Sequence, residues 1–162
     1  MVTERTPPSA LVSQQMRRMP TRGTKPELAL RSALHAKGLR FRVTATTLPG
    51  RPDIVFTRAR IAVFVDGCFW HSCPQHSTRP RNNAEWWQDK LAATVERDRR
   101  KDAELEAQGW VPIHVWEHEE PSLAAARIKN LWIDRLASRH PRSGAIPSGM
   151  TLPSDPEILP HL

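Results

Sequence analysis

Two apolar runs stand almost back to back, Asp53-Ile54-Val55-Phe56 and Ile61-Ala62-Val63-Phe64-Val65, with only residues 57–60 between them. Neither run alternates polar with apolar, so strands built from them need cover on both faces. The four-residue gap suits a tight turn, which predicts a buried antiparallel hairpin. Helical patterns flank it on both sides. In TKPELALRSALHAKG, Thr24 is the expected N-cap, Pro26 lies in the first turn and Glu27 completes an S/T-x-x-E capping box. Leu28, Leu30, Ala33 and Leu34 form the expected buried stripe, and Gly38 the stop. LRFRV (39–43) is a short strand. A long helix is expected over 84–108, capped by Asn83, with Trp87, Leu91, Val95 and Leu105 inward and Gly109 at its end. Along it Arg97, Arg99 and Arg100 are expected to pair with Glu96, Asp98 and Asp102. Residues 110–116 read as a third apolar strand, placed at an edge or bulge by Pro112. Ser122 caps a last helix over 123–138. This order predicts an α/β sandwich with a small mixed sheet. Residues 1–23 read as a flexible basic arm, 24–138 as the folded domain and 139–162 as a Pro-rich tail.

The totals narrow the function. Lysine and arginine outnumber the acids 24 to 17, and the pI is about 10.4. That balance suits a polyanionic partner, with nucleic acid ahead of an anionic membrane. No apolar run approaches the roughly 20 residues of a membrane span, and the first residues lack the apolar core of a signal peptide. The expected compartment is therefore a reducing cytoplasm, where a Cys-x4-Cys pair is a metal site more often than a disulfide.

Both cysteines of the chain sit in VFVDGCFWHSCPQH (63–76), directly after the second apolar run. Cys68 and Cys73 offer two thiolates toward a tetrahedral Zn2+; local candidates for the rest are His71 and His76. In VWEHE, His118 ends the third strand and reaches the cluster if that strand lies beside residues 61–65. The preferred set is Cys68, Cys73, His76 and His118, which would tie an irregular loop to a strand end. Ordinary burial of two small side chains is the alternative. Between the cysteines stand Phe69 and Trp70, which read as neighbouring aromatics on opposite sides of a short, exposed loop.

Asp53 opens the first apolar run after Gly-Arg-Pro. An acid there caps a turn; a carboxylate at the mouth of a sheet is also how nucleases hold Mg2+ beside a phosphate. LPGRPDIVF (48–56), VDGCFWH (65–71), TVERDRRKDAEL (94–105), Gly109-Trp110 and VWEHE (115–119) occur in that order. Together they resemble the very short patch repair (Vsr) endonucleases, from about Met16 to Glu120. The resemblance implies a restriction-endonuclease-like PD-(D/E)xK sandwich: a small mixed central sheet flanked by helices, with a structural zinc. It implies Mg2+-dependent nicking 5′ of a thymine mispaired with guanine, where 5-methylcytosine has deaminated.

Residue by residue, the resemblance makes Asp53 the Mg2+-binding aspartate and the main-chain carbonyl of Val65 a second ligand. His71 becomes the residue that activates or positions water, and Glu27 a contact to the metal's water shell. Where Asp66 stands, the best-known bacterial member has histidine; Asp66 is then either a second carboxylate ligand or a turn residue. That member also draws its zinc ligands from two cysteines and a histidine of a His-rich loop and a later cysteine, a position His118 takes here. Phe69, Trp70 and Trp87 match residues that wedge into the base stack, and Met16 matches a methionine of the arm. A wedge is cheapest at a mispair. Arg17, Arg18, Arg22, Lys25, Arg79 and Arg81 are phosphate-contact candidates. The implied partner is double-stranded DNA with a mismatch, met by a monomer in the cytoplasm at the nucleoid, with no membrane and with mismatch-repair proteins left open. The alternatives are a nuclease of the same fold with another mismatch or sequence target, and a non-catalytic zinc-stabilised DNA-binding module.

Overall fold

The central hairpin forms as its sequence requires. In the computed structural model, which describes residues 22–43, 45–76, 80 and 83–139 and the single positions 10, 13, 14 and 18, the elements are α1 (Lys25–Ala36), β1 (Arg42–Val43), β2 (Ile54–Phe56), β3 (Ile61–Asp66), α2 (Ala84–Ala107), β4 (Val111–Trp116) and α3 (Pro121–Arg139). The sheet order is β1-β2-β3-β4. β1–β2 and β2–β3 pair antiparallel, with Ile54 opposite Val63, and β3–β4 pair parallel, with Asp66 opposite Trp116. β4 is thus an edge strand, which is where Pro112 costs no ladder bond. Only Arg42–Val43 of the expected 39–43 strand pairs; Leu39 is instead a core residue and Phe41 packs against the core.

Alternation along the strands sends two sets of side chains to two layers. Ile54, Phe56, Ile61, Val63 and Val115 meet Leu30 and Leu34 of α1 and Ala124, Ala125 and Ile128 of α3 in one core. On the other face Phe64 and His114 lie toward α2, where Leu105 is fully buried and Asp102 bonds His114. The parallel ladder aligns the ends of β3 and β4, so Asp66 and Trp116 finish side by side.

Local expectations change in four places. Leu28 is 54% exposed; the inward stripe of α1 runs Glu27, Leu30 and Leu34, and the position one step on from Glu27 turns away. Thr24 is the N-cap but makes no cap hydrogen bond; its hydroxyl donates to Glu27 Oε1, and Glu27 Oε2 accepts from the Gly23 N–H. Asn83 is the N-cap of α2 in a left-handed conformation, and its carbonyl, not its side chain, accepts the first helical bond, from the Trp87 N–H. α3 starts at Pro121, and Glu120 takes the capping role given to Ser122: its carboxylate accepts from the Leu123 N–H and the Ser122 hydroxyl. These bonds hold the Glu120 carboxyl below the ordinary range.

Leu30→Ala is expected to cost about 2–4 kcal/mol and Leu28→Ala under about 0.5 kcal/mol. Urea unfolding midpoints of the two variants check which face of α1 is buried.

Candidate active site and metal-ligand cluster

Past Asp66 the chain leaves the sheet without leaving its neighbour. The Glu117 N–H donates to the Asp66 carbonyl (2.9 Å), extending the β3–β4 ladder by one bond. Glu117 Oε1 then accepts from the Cys68 N–H at 2.7 Å. A turn closes from the Cys73 N–H to the Cys68 carbonyl (3.0 Å). Cys68 and Cys73 thereby point the same way, toward His118 just beyond β4. His118 Nδ1 lies 3.1 Å from Cys68 Sγ and 3.8 Å from Cys73 Sγ, and His76 Nδ1 lies 3.9 Å from Cys73 Sγ. All four donor atoms fall within 4.8 Å of one another. A tetrahedron with metal–sulfur and metal–nitrogen bonds of about 2.3 and 2.0 Å has S···N edges of about 3.5 Å. The observed spacings bracket that value, so these residues could hold such an ion. His71, the other local candidate, faces elsewhere. Burial pushes the Cys68 thiol up to about 11, with Cys73 and Glu117 adding to it; a bound cation would offset that cost and favour the thiolate.

On the α2 side of this loop opens a cleft of about 930 Å3, lined by Asp53, Asp66, His71, Asp98 and His114 among others. Its floor begins at the 48–53 turn. Gly50 (φ 77°) lies so close over Phe64 that a Cβ there would come within 2.9 Å of the ring, which lets the turn settle on the sheet. Asp53 follows, and its Oδ2 accepts the Val65 N–H at 2.8 Å. A strand residue points its N–H and C=O to the same side, so the Val65 carbonyl also faces the edge where β2 has not yet begun. Glu27, 3% exposed, pairs with Arg31 (3.1 Å). Burial, against the Val65 bond and with Glu27 and Asp66 nearby, raises the Asp53 carboxyl to about 6.

Two imidazoles stand in the cleft, each held by carboxylates. His71 Nδ1 is 2.7 Å from Asp98 Oδ2 and 3.8 Å from Asp66 Oδ1. His114 Nδ1 is 2.5 Å from Asp66 Oδ2, and its Nε2 is 3.1 Å from both carboxylate oxygens of Asp102. The Asp66 bond chiefly, with Asp102 assisting and burial opposing, raises His114 to about 9. The pairing of α2 acids with arginines that the charge pattern suggested is therefore realised only in part. Arg97 is within 3.4 Å of Asp98, but Arg100 reaches Glu104 (4.0 Å) rather than Asp102. Asp98, Asp102 and His114 are the site residues that sequence reading missed. The signal was present: 91, 95, 98, 102 and 105 are one helical stripe, and two acids on an otherwise apolar stripe face something polar.

Beside the cleft, Phe69 and Trp70 do not splay to opposite sides of their loop. Their rings meet edge-on at 5.1 Å, Phe69 meets Trp87 at 5.2 Å, and Trp86 meets Trp87 at 5.0 Å. Trp87 is 7% exposed while the other three keep partly open faces. Lys90 Nζ sits 5.0 Å over the Trp86 ring. Arg22, Arg51, Lys90, Arg97 and Lys101 rim the cleft. Arg18 is exposed, and Lys25 opens α1 at the surface. Met16, Arg17, Arg79, Arg81 and the tail from 140 lie outside the described residues.

An acidic floor, carboxylate-oriented imidazoles, a basic rim and an aromatic platform suit a phosphodiester polyanion, and the class is that of a DNA endonuclease. Residues 8–77 match the family model described as DNA mismatch endonuclease Vsr. The chain is 49% identical over 111 residues to the type II nicking enzyme V.NaeI of Lentzea aerocolonigenes (65% of this chain, 67% of that protein). It is 43% identical over 122 residues to the type II nicking enzyme V.XorIIP of Xanthomonas oryzae pv. oryzae (72% and 88%). To the DNA mismatch endonuclease Vsr of Escherichia coli it is 42% identical over 106 residues (65% and 68%). The chain belongs to the Vsr family.

The raised carboxyl at Asp53 carries a pH signature in the metal-free protein. A folded-state value near 6 against an ordinary 3.8 means that folding favours the protonated acid, so stability falls as pH rises from about 4 through about 6. Asp53→Asn is expected to remove that slope and to raise stability at pH 8 by about 1 kcal/mol, the partial exposure of the group moderating the effect. Thermal melts of both proteins in EDTA between pH 4.5 and 8 check this.

Proposed function

We propose that the chain is a Mg2+-dependent nicking endonuclease of very short patch repair. It cuts one strand of double-stranded DNA on the 5′ side of a thymine mispaired with guanine, the lesion left by deaminated 5-methylcytosine. The observation that carries this reading is the convergence of Asp53 and His71 on one basic-rimmed cleft. The relatives, a mismatch endonuclease and nicking enzymes, support it. The wider assignment belongs to the same proposal: a restriction-endonuclease-like domain over 24–138 with a basic arm and a Pro-rich tail, acting as a monomer in the cytoplasm at the nucleoid.

Asp53 and the Val65 carbonyl would hold Mg2+, with Glu27 toward its water shell; the donors are hard oxygens, as that cation requires. Bound there, Mg2+ supplies Lewis-acid neutralisation of the phosphate. The protein's part follows from its hydrogen bonds. Asp98 accepts from His71 Nδ1, which fixes the ring and leaves Nε2 as the basic nitrogen. That nitrogen takes a proton from, or orients, the attacking water. Cys68, Cys73, His76 and His118 would hold a structural Zn2+, anchoring the loop that carries His71 and the two aromatics. Phe69, Trp70 and Trp87 would enter the base stack, where a mispair yields most easily. Met16, Arg17 and Arg18 of the arm, with the basic rim, would grip the backbone.

End-labelled duplexes carrying each mismatch, incubated with Mg2+, test the reading. Nicking beside T:G is expected, with the rate lowered at least about 10³-fold by Asp53→Ala and about 10- to 100-fold by Asp98→Asn while DNA binding persists. Binding without cleavage of any duplex would leave only a DNA-binding module. The zinc assignment has its own check. Metal analysis should find about one Zn2+ per chain, lost in Cys73→Ser together with nicking and with protection of the 67–76 loop from proteolysis. Full activity in verified zinc-free protein counts against it.

A further inference from the structure

Asp66 has work that neither a metal ligand nor a turn residue would have. It ends β3 with its side chain on the face toward α2, the face that also carries Phe64 and His114. It is 6% exposed. The His114 ring is fixed on three sides. Its plane stacks on Phe64 with ring centres 5.1 Å apart and 14° between planes. Nδ1 meets Asp66 Oδ2 at 2.5 Å and Nε2 meets Asp102 at 3.1 Å. Carboxylates accept and do not donate, so both ring nitrogens must donate and the ring carries a positive charge. Neutralisation of the cleft acids is then uneven. Glu27 has Arg31, Asp66 and Asp102 share His114, and Asp98 has His71 with Arg97 nearby. Among the described residues, Asp53 is met by the Val65 N–H and by no side-chain hydrogen bond.

We infer that His114 is a positioning residue: clamped between Asp66 and Asp102, it withholds the Asp66 carboxylate from the catalytic cation and leaves Oδ1 to face His71. The cation site is then a one-carboxylate site at Asp53, and α2 and β4 jointly set its ligand count. The chemistry is general. A carboxylate already accepting a short, charge-assisted bond is a poor ligand for a hard divalent ion, because coordination must first break that bond. Releasing it adds a negative charge and a ligand in the cleft that Asp53 lines, and affinity for such ions rises with both. The inference rests on the metal-centre reading of the previous subsection, so the test separates the two.

The probe is Mn2+, titrated by EPR into full-length protein whose thiol cluster is first loaded with zinc, without DNA. Asp53→Asn reads the metal centre itself: it should abolish the cleft-bound Mn2+ signal, and retention of wild-type binding would overturn that centre and the clamp together. With that established, His114→Phe, which keeps the stacking on Phe64 but cannot donate, is expected to tighten Mn2+ by about three- to tenfold. The same variant should lower kcat for nicking while leaving KM for DNA within about twofold, since it frees Asp66 from its place beside His71. Asp66→Asn alone should leave Mn2+ affinity within about twofold, and Asp66→Asn with His114→Phe should return affinity to the wild-type value. A purely structural histidine would not tighten metal binding, nor would that gain vanish with Asp66. If His114→Phe does not fold, Asp102→Asn loosens the same clamp from the surface side and should shift Mn2+ affinity in the same direction. The clamp is overturned if Asp66→Asn weakens Mn2+ about tenfold, which would make Asp66 a ligand already. It is equally overturned if neither clamp variant alters Mn2+ affinity.

Discussion

The parallel pairing of β3 with β4 is the interaction on which the site depends. It runs in register from Ile61 opposite Val111 to Asp66 opposite Trp116, and one further bond joins Glu117 to the Asp66 carbonyl. Everything distinctive lies at the end of that ladder. His118 meets the two cysteines because β4 stops where β3 stops. His114 meets Asp66 because both face α2 two residues or fewer from that end. A one-residue slip of β4 would turn His114 to the apolar core and leave Asp66 without its partner, so the register is specified by polarity as well as by packing.

Charge in the cleft is arranged rather than merely accumulated. The chain as a whole is basic, yet the floor of its cleft holds carboxylates from α1, β3, the approach to β2 and α2. Most are met locally, by Arg31 or by an imidazole. Asp53 is left with its carboxyl raised and one backbone donor. A divalent cation, as proposed, would relieve that residual cost of ionisation. Around the rim the positive excess returns, where a phosphate backbone gains from it.

Much of the fold was legible because its signals are local. The hairpin follows from two unbroken apolar runs around a short turn, α2 from its cap position and Gly109, and the edge position of β4 from Pro112. Where local reading went astray, a tertiary contact had outbid a propensity. Leu28 lost the inward face of α1 to Glu27, an acid drawn inside by Arg31 and by the Thr24 and Gly23 donors. Phe69 and Trp70 lie together because Trp87, seventeen or more positions later, offers an edge to both. Asp98 and Asp102 looked like partners for the arginines beside them; Asp98 keeps Arg97 but its closer partner is His71, and Asp102 is held by His114.

The sequence by itself determined the ingredients: apolar strands needing two helical layers, two thiols with histidines in reach, a carboxylate at the mouth of a strand, and the family that combination resembles. Only the tertiary structure decided the partnerships. A spacing along the chain sets which side chains share one helix face or strand face, since those periods are short and rigid. Which faces meet depends on packing and register between segments far apart in sequence, and for that reason the link from Asp66 through His114 to Asp102 appears only once β3, β4 and α2 have been brought together.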